Sequence, residues 1–337
     1  MRSQFALLAL SLVSSASADV GPITLTAKPL AECEGKVVRL AANEKGLTLL
    51  IATEQGNVAA WDVAKPAFAW RNAPGGLNNH SAAATEKDVP YLRALDVGDK
   101  FAFLGRGLGS PFSLDVATGK ESSNYMALVT DPGVQIVAFC CDPRDRWAWM
   151  AFENGVLARF VPNGGSAAYN RVELKGVHIG SLAYDADATL IAAGGGDGSI
   201  HFVNASSAKL DDDKVFKGPE AELIAMDFAN NGALLLGANV KGDVCVWNVA
   251  TGKVRQTVHA SDVPLRKLIV HPKNKWFVTG DSSGAVKVWS LEKGALMATL
   301  TAEGATAVLD LAFIDGAKSL AGAVGGKNVV VWDVSKL

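Results

Sequence analysis

The stretch Gly242-Asp-Val-Cys-Val-Trp247-Asn-Val-Ala-Thr-Gly252 decides the fold of this 337-residue chain. It combines a tight turn, a short apolar strand that ends in tryptophan, and a second turn. The same pattern returns with tryptophan in the same slot at 56–61, 284–289 and 328–332. Self-similarity at a fixed period is the signature of a repeat architecture, so the period has to be settled first.

Weaker copies of the pattern complete a series of seven. The residues in the tryptophan slot are Trp61, Leu114, Phe160, Val203, Trp247, Trp289 and Trp332. Successive slots are 42 to 53 residues apart. Units of about 40–45 residues with several short strands are typical of four-stranded propeller blades. The sequence therefore predicts an all-β fold, a seven-bladed β-propeller of four-stranded antiparallel blades.

These residues resemble the WD-repeat family of seven-bladed propellers. The Trp-Asp dipeptide is intact at Trp61-Asp62 and Trp332-Asp333, whereas Trp247-Asn248 has asparagine in place of the aspartate. The resemblance spans nearly all of 19–337, strongly in the first blade and the last three. It implies an interaction platform that usually has no catalysis of its own. The family's Gly-His dipeptide is essentially missing, so we expect apolar packing to replace its buried histidine-centred network.

The first 18 residues have the features of a secretory signal peptide. Arg2 supplies a positive start, a short apolar run follows over 5–13, and Ala16-Ser17-Ala18 is a small-residue cleavage site. No later run is apolar and long enough to span a membrane. We therefore predict a cleaved segment over 1–18, a single propeller domain over 19–337, and a periplasmic or secreted location.

The two ends of the domain predict how the ring closes. Residues 23–30 read as a strand that precedes the first blade, whereas the last blade has sequence for only three strands. Pairing the N-terminal strand with the last blade would remove an open sheet edge that invites aggregation. We therefore expect a ring closed by this strand.

Composition favours a globular protein-binding domain. Hydrophobic residues make up 49% of the chain and the formal net charge is −2. No basic stripe is present, which disfavours nucleic acid as a partner. We expect no cofactor, a protein or peptide partner, and a domain that is monomeric on its own. The long connection over 72–90 is a candidate binding loop or, equally, a simple surface insertion.

The four cysteines do not predict a disulfide framework. Cys245 lies beside Trp247 in a strand and is expected to be a small buried apolar residue. The repeat register separates Cys33 from Cys140 and Cys141, because these positions fall at opposite ends of inner strands. A strained bond between the adjacent Cys140 and Cys141 is the alternative left open.

Two motifs imitate catalytic or nucleotide-binding sites. The sequence of 280–284, Gly-Asp-Ser-Ser-Gly, matches a nucleophile pattern that requires a strand-to-helix elbow, but here it joins two strands. The glycines at 105, 107 and 109 have the wrong spacing for a dinucleotide loop, and a strand follows them. We therefore predict no catalytic residues.

One residue per blade should border the mouth of the central channel, at the entry of each inner strand. Aligning the blades gives Lys36, Tyr91, Gln135, His178, Glu222, Pro264 and Ala307. The set has one histidine and one carboxylate, which is poor for a metal site and suitable for a protein-binding rim. We predict that Lys36, Tyr91, Gln135, His178 and Glu222 form a partner-binding rim.

Three residues further into each inner strand lies a second layer. Its members are Arg39, Ala94, Ala138, Ser181, Ala225, Lys267 and Asp310. Blades six, seven and one are neighbours in the ring, so Asp310 should lie between Lys267 and Arg39. This channel charge cluster is either a charge-compensated structural feature or an anion site that uses the two cations.

Three functions follow for a propeller of this kind. The first is a non-catalytic interaction scaffold of the bacterial envelope, which binds its partner through the rim and channel mouth. The second is a propeller enzyme or cofactor binder, lactonase-like or quinoprotein-like, which would need carboxylates, histidines or a metal in the channel. The third is a structural spacer. The mixed rim favours the first.

Overall fold

The computed structural model describes residues 22–43, 45–71, 92–106, 111–124, 134–142, 144–162, 169–185, 187, 189–218 and 220–337. Within these ranges every regular element is a β-strand, and the strands form seven sheets. Each sheet is one blade, which confirms the predicted seven-bladed, all-β propeller.

The first two strands, β1 (Ile23–Thr26) and β2 (Lys28–Glu32), precede the first blade. The remaining strands follow in chain order, four to a blade except in the last, where three come from the end of the chain. Blade one contains β3 (Val37–Ala42), β4 (Thr48–Thr53), β5 (Val58–Asp62) and β6 (Ala67–Arg71); blade two contains β7 (Leu92–Val97), β8 (Phe101–Arg106), β9 (Phe112–Asp115) and β10 (Glu121–Asn124). Blade three contains β11 (Ile136–Cys141), β12 (Ala148–Phe152), β13 (Val156–Phe160) and β14 (Tyr169–Glu173); blade four contains β15 (Ile179–Tyr184), β16 (Leu190–Gly195), β17 (Ser199–Asn204) and β18 (Lys209–Lys217); blade five contains β19 (Leu223–Ala229), β20 (Leu234–Asn239), β21 (Asp243–Asn248) and β22 (Val254–His259). Blade six contains β23 (Leu265–Val270), β24 (Trp276–Asp281), β25 (Val286–Ser290) and β26 (Leu296–Thr301); blade seven contains β27 (Asp310–Ile314), β28 (Ser319–Ala323) and β29 (Asn328–Asp333).

The first strand of each blade is the inner one, and the seven inner strands form a closed ring. Each inner strand contacts the inner strand of the next blade, and β27 of blade seven contacts β3 of blade one. Successive strands within a blade pair antiparallel and run outward from this ring. The inner strands therefore surround a central channel.

The stretch around Trp247 shows how the repeat produces a blade. Gly242 has φ +90°, and a Cβ at this position would lie 1.8 Å from the Ser261 carbonyl oxygen, so the turn before β21 requires glycine. Trp247, the next-to-last residue of this strand, is completely buried. Its indole donates a hydrogen bond to the Lys217 carbonyl of the preceding blade at 3.3 Å. The repeated tryptophan thus packs one blade onto its neighbour.

The predicted register is confirmed in all seven blades. Every residue in the tryptophan slot lies in the third strand of its blade: β5, β9, β13, β17, β21, β25 and β29. Phe160 and Val203 are 1% and 0% exposed, like Trp247 and Trp332, which are both 0% exposed. Blades that lack tryptophan therefore keep the same packing position with a smaller apolar side chain.

The ring closes as predicted, but with two N-terminal strands instead of one. β2 pairs antiparallel with β29 and completes blade seven, whereas β1 pairs in parallel with β26 as a fifth strand of blade six. Between them, the Ala27 amide donates to the Thr301 carbonyl at 2.8 Å, which holds the chain where it passes between the blades. Pro29 fits in β2 because an outer strand has one edge without partners.

Blade six keeps a buried polar network without histidine. The Ser261 hydroxyl donates to the Asp281 carboxylate at 2.7 Å, and the Trp289 indole donates to the Thr279 hydroxyl at 2.9 Å. Blade six thus adds these two buried hydrogen bonds to its apolar packing. Ser261 reaches the carboxylate from the loop before the inner strand.

The different roles of β1 and β2 can be tested by truncation. A variant that starts at Lys28 lacks only the fifth strand of blade six, so we expect a monomer with a lowered thermal unfolding midpoint. A variant that starts at Gly35 also lacks β2, which leaves the β29 edge unpaired, and we expect aggregation or association. Size-exclusion chromatography and thermal unfolding, with 19–337 as the reference, measure both effects. A monomeric Gly35 variant with an unchanged midpoint would contradict this account.

Candidate functional site at the mouth of the central channel

The central channel contains a cavity of about 610 Å³. All seven blades contribute to its wall through the second layer defined from the sequence: Arg39, Ala94, Ala138, Ser181, Ala225, Lys267 and Asp310. The cavity lies within the range of about 300–1,000 Å³ that is usual for ligand sites. It is therefore the candidate functional site.

The wall of the cavity is strongly asymmetric. Blades two to five present alanine or serine at this layer, whereas blades six, seven and one present charged side chains. The small residues of this layer lie on one side of the channel. The charged residues of this layer lie on the other side, so a ligand at this depth would meet two different surfaces.

Asp310 and Lys267 form an ion pair in the charged half. The Lys267 ammonium lies 2.6 Å from the Asp310 carboxylate, which is only 3% exposed. The same carboxylate accepts hydrogen bonds from the Leu311 amide at 2.9 Å and from the Leu40 amide of blade one at 3.0 Å. Arg39 lines the same cavity, and its guanidinium donates to the Val38 carbonyl at 2.8 Å.

Some residues of the predicted rim line the cavity and others do not. His178, Glu222 and Pro264 line the cavity, and they come from the neighbouring blades four, five and six. Of the described residues, Lys36, Gln135 and Ala307 lie outside the cavity wall. Tyr91 and the connection over 72–90 lie outside the described residues. The part of the rim that reaches the channel is therefore a continuous arc of three blades.

Other wall residues were not singled out from the sequence. Arg266 and Glu153 both line the cavity. Arg266 directly precedes Lys267 at the start of an inner strand, so the same alignment could have included it. Glu153 lies just after β12, and its carboxylate accepts a hydrogen bond from the Gln135 amide at 3.4 Å. The alignment of inner strands could not identify Glu153, because this residue follows the second strand of its blade.

Two further aspartates link neighbouring inner strands. Asp227 of blade five accepts a hydrogen bond from the Val270 amide of blade six at 2.7 Å. Asp96 of blade two accepts one from the Cys141 amide of blade three at 2.8 Å. Burial raises the pKa of both carboxyls, and that of Asp227 reaches about 6. These bonds, like that of Asp310, run from one blade to the next.

The nucleophile-like pattern over 280–284 is the hairpin turn between β24 and β25, as predicted. The Ser283 hydroxyl donates to the Asp281 carboxylate at 2.6 Å, and the same carboxylate accepts the Ala285 amide at 3.0 Å. The serine therefore stabilises a turn. The glycine pattern that begins at Gly105 continues outside the described residues.

All four cysteines are free thiols. Cys140 packs with Trp149, whereas Cys141 packs with Phe160 in a different part of the core. The two side chains therefore point to opposite faces of β11, and the alternative of a bond between them is wrong for this structure. Cys245 is 1% exposed, which confirms its expected buried position.

The described residues contain neither a side-chain cluster suited to a metal ion nor a helix suited to a membrane span. Within those residues, no three histidine, cysteine or carboxylate side chains converge in a way that could hold a metal ion. The same part of the chain contains no helix of the length and apolarity needed to cross a bilayer.

Comparison with known protein families matches the model described as "WD domain, G-beta repeat" to residues 173–204 and 252–290. The chain carries WD40 repeats. Each matched segment begins at the outer strand of one blade and ends in the third strand of the next, so the sequence repeat is offset from the blade by one strand. Blade seven has the same offset, because its outer strand is β2, which precedes blade one in the sequence.

Several proteins are similar to this propeller over parts of their length. Mouse DmX-like protein 1 is 31% identical over 78 residues, which cover 23% of this chain and 3% of that protein. Human apoptotic protease-activating factor 1 is 30% identical over 128 residues, or 34% of this chain and 10% of that protein. Actin-interacting protein 1 of Caenorhabditis elegans is 28% identical over 273 residues, or 76% and 39%. The chain thus spans far less than two thirds of these relatives.

Among solved structures, a chain of the crystal structure of the mitotic checkpoint complex superposes with a TM-score of 0.76. The match covers 99% of both chains at 16% identity. At this identity the likeness supports the propeller fold alone.

The ion pair in the channel of this propeller gives a stability prediction. Asp310→Ala leaves two amides and the Lys267 ammonium without their acceptor, so we expect a loss of about 3–5 kcal/mol in the free energy of unfolding. Combining it with Lys267→Met should cost less than the sum of the single changes by about 0.5–3 kcal/mol. Urea unfolding measures these values, with the exposed Lys241→Met as control. Additive losses would contradict direct coupling.

Asp227 gives a prediction for pH dependence. Its pKa is raised from an ordinary value of 3.8 to about 6, so between about pH 4 and 6 the native protein binds more protons than the unfolded chain. This group therefore makes the free energy of unfolding fall as pH rises through that window. Asp227→Asn keeps an acceptor for Val270, so its stability relative to the parent should rise from pH 4 to 7. Denaturant unfolding across pH, with exposed Asp213→Asn as control, tests the sign, and an opposite slope would contradict it.

Proposed function

We propose that this protein is a non-catalytic interaction scaffold of the bacterial envelope, periplasmic or secreted, which binds a partner protein or peptide at the channel mouth. The observation that carries the proposal is the arc of rim residues from blades four, five and six at the cavity. His178 and Pro264 are exposed there, and Glu222 is half-buried beside them. Exposed side chains on a rigid ring provide a preorganised binding surface.

The WD40 repeats support a role in binding proteins. The names of two similar proteins, actin-interacting protein 1 and apoptotic protease-activating factor 1, describe action on other proteins. A shared fold does not transfer a partner, so the proposal concerns the kind of ligand and the surface that contacts it.

Export is supported by the sequence alone. The positive start, the short apolar run and the small-residue cleavage site of 1–18 agree with a secretory signal. We propose that the mature protein, after cleavage of the signal peptide, begins at Asp19. N-terminal sequencing of the protein from an envelope fraction would then read Asp-Val-Gly-Pro, and an intact Met1 would argue against export.

Partner capture tests the proposed surface. Tagged protein recovered from its native envelope fraction should carry a stoichiometric protein partner. The double variant His178→Ala with Glu222→Ala should capture at least about tenfold less of that partner, since a central binding residue contributes about 2 kcal/mol or more to binding.

The matched control for this experiment lies on the outer edge of blade four. Asp213→Ala with Lys217→Ala also changes two exposed polar side chains, but these belong to β18 and not to the cavity wall. The control should keep the partner. Equal capture by the rim variant and the control would contradict binding at the mouth.

A further inference from the structure

Two opposite charges at the channel mouth have no counter-ion in the described part of the chain. Glu222 of blade five and Arg266 of blade six both line the cavity, and neither side chain forms an ion pair there. Arg266 is exposed, whereas Glu222 is half-buried. A half-buried carboxylate without a partner is less well solvated than one on the surface, so it favours a ligand that brings a positive group.

The Glu222 carboxylate is held toward the neighbouring blade. A Cβ on Gly180 of blade four would lie 3.3 Å from its Oε1 atom and 2.6 Å from the Leu223 carbonyl oxygen. Glycine at 180 therefore allows blades four and five to approach closely and leaves room for the carboxylate at the cavity wall. This arrangement places the negative charge over blade four and the positive charge of Arg266 on blade six.

Blade five also contributes apolar side chains to the cavity wall. Ile224 and Val240 are half-buried, and Met226 is 7% exposed; all three line the cavity in blade five. The other charges on the wall have internal contacts: Lys267 pairs with Asp310, and Arg39 donates to the Val38 carbonyl. Glu153 accepts the Gln135 amide at 3.4 Å. Glu222 and Arg266 are thus the charges best placed to serve a ligand.

A ligand that matches this surface carries a positive group, a negative group and an apolar side chain. We propose that the channel mouth binds a zwitterion of this kind, a free apolar α-amino acid or a short peptide, with its ammonium on Glu222, its carboxylate on Arg266 and its side chain against Ile224 and Met226. Charge-assisted hydrogen bonds at both ends would set the orientation. This site shares Glu222 with the proposed partner-binding surface, but it requires no protein partner.

Four defined compounds test the proposal on the purified protein by isothermal titration calorimetry. L-Leucine has both charges, N-acetyl-L-leucine lacks the ammonium, and L-leucinamide lacks the carboxylate. L-Leucyl-L-leucine has both charges at wider spacing. We expect L-leucine or the dipeptide to bind about tenfold or more tightly than either blocked compound. Tighter binding of the dipeptide assigns the site to peptides, and tighter binding of leucine assigns it to free amino acids.

Variants then assign each end of the ligand. Glu222→Gln should weaken the zwitterion about tenfold and leave N-acetyl-L-leucine unchanged. Arg266→Gln should weaken the zwitterion to a similar extent and leave L-leucinamide unchanged. Glu220→Gln and Arg255→Gln change exposed residues that lie outside the cavity wall, and they should bind like the parent.

The outcomes separate this proposal from the scaffold. Absence of binding by all four compounds, or binding that neither wall variant changes, would overturn the zwitterion site. Thermal unfolding of each variant shows that it is folded before binding is compared. Because no protein partner takes part, partner capture can succeed whether this experiment succeeds or fails.

Discussion

The constraint on which this structure depends is closure of the ring. A blade is a small sheet, and each of its faces must be covered by a neighbouring blade to bury its apolar side chains. That condition holds for every blade only if the last blade packs on the first. Blade seven achieves it with a strand from the other end of the chain, since β2 pairs with β29. The first and last segments therefore stabilise each other across the whole domain.

The inner strands add polar links to this apolar packing. Asp96, Asp227 and Asp310 each accept an amide hydrogen bond from the following blade, and the Ser181 hydroxyl donates to the Leu223 carbonyl of the following blade at 2.9 Å. The amides and carbonyls at these points lie on inner edges that have no further strand to pair with. Side chains satisfy them instead, which avoids the cost of unpaired buried groups.

These links also shape the channel. Where the second layer carries charge, in blades six, seven and one, the carboxylate of Asp310 is occupied by Lys267 and by backbone amides. Where it carries alanine or serine, in blades two to five, only small side chains border the cavity. The charged and the small side chains of this layer thus lie on two sides of one ring. The charges left for a ligand, Glu222 and Arg266, lie at the mouth, outside the internal network.

The sequence by itself determined the number of blades, the third-strand slot from Trp61 to Trp332, and the closure of the ring, because these follow from a repeated pattern of turns and apolar strands. It also placed Lys267 and Asp310 in one layer. Only the tertiary structure decided that β1 and β2 are separate strands, that His178, Glu222 and Pro264 reach the cavity, and that Glu222 and Arg266 form no ion pair among the described residues. The physical reason is that a repeat specifies each blade locally, whereas contacts across the channel depend on how seven blades tilt and meet.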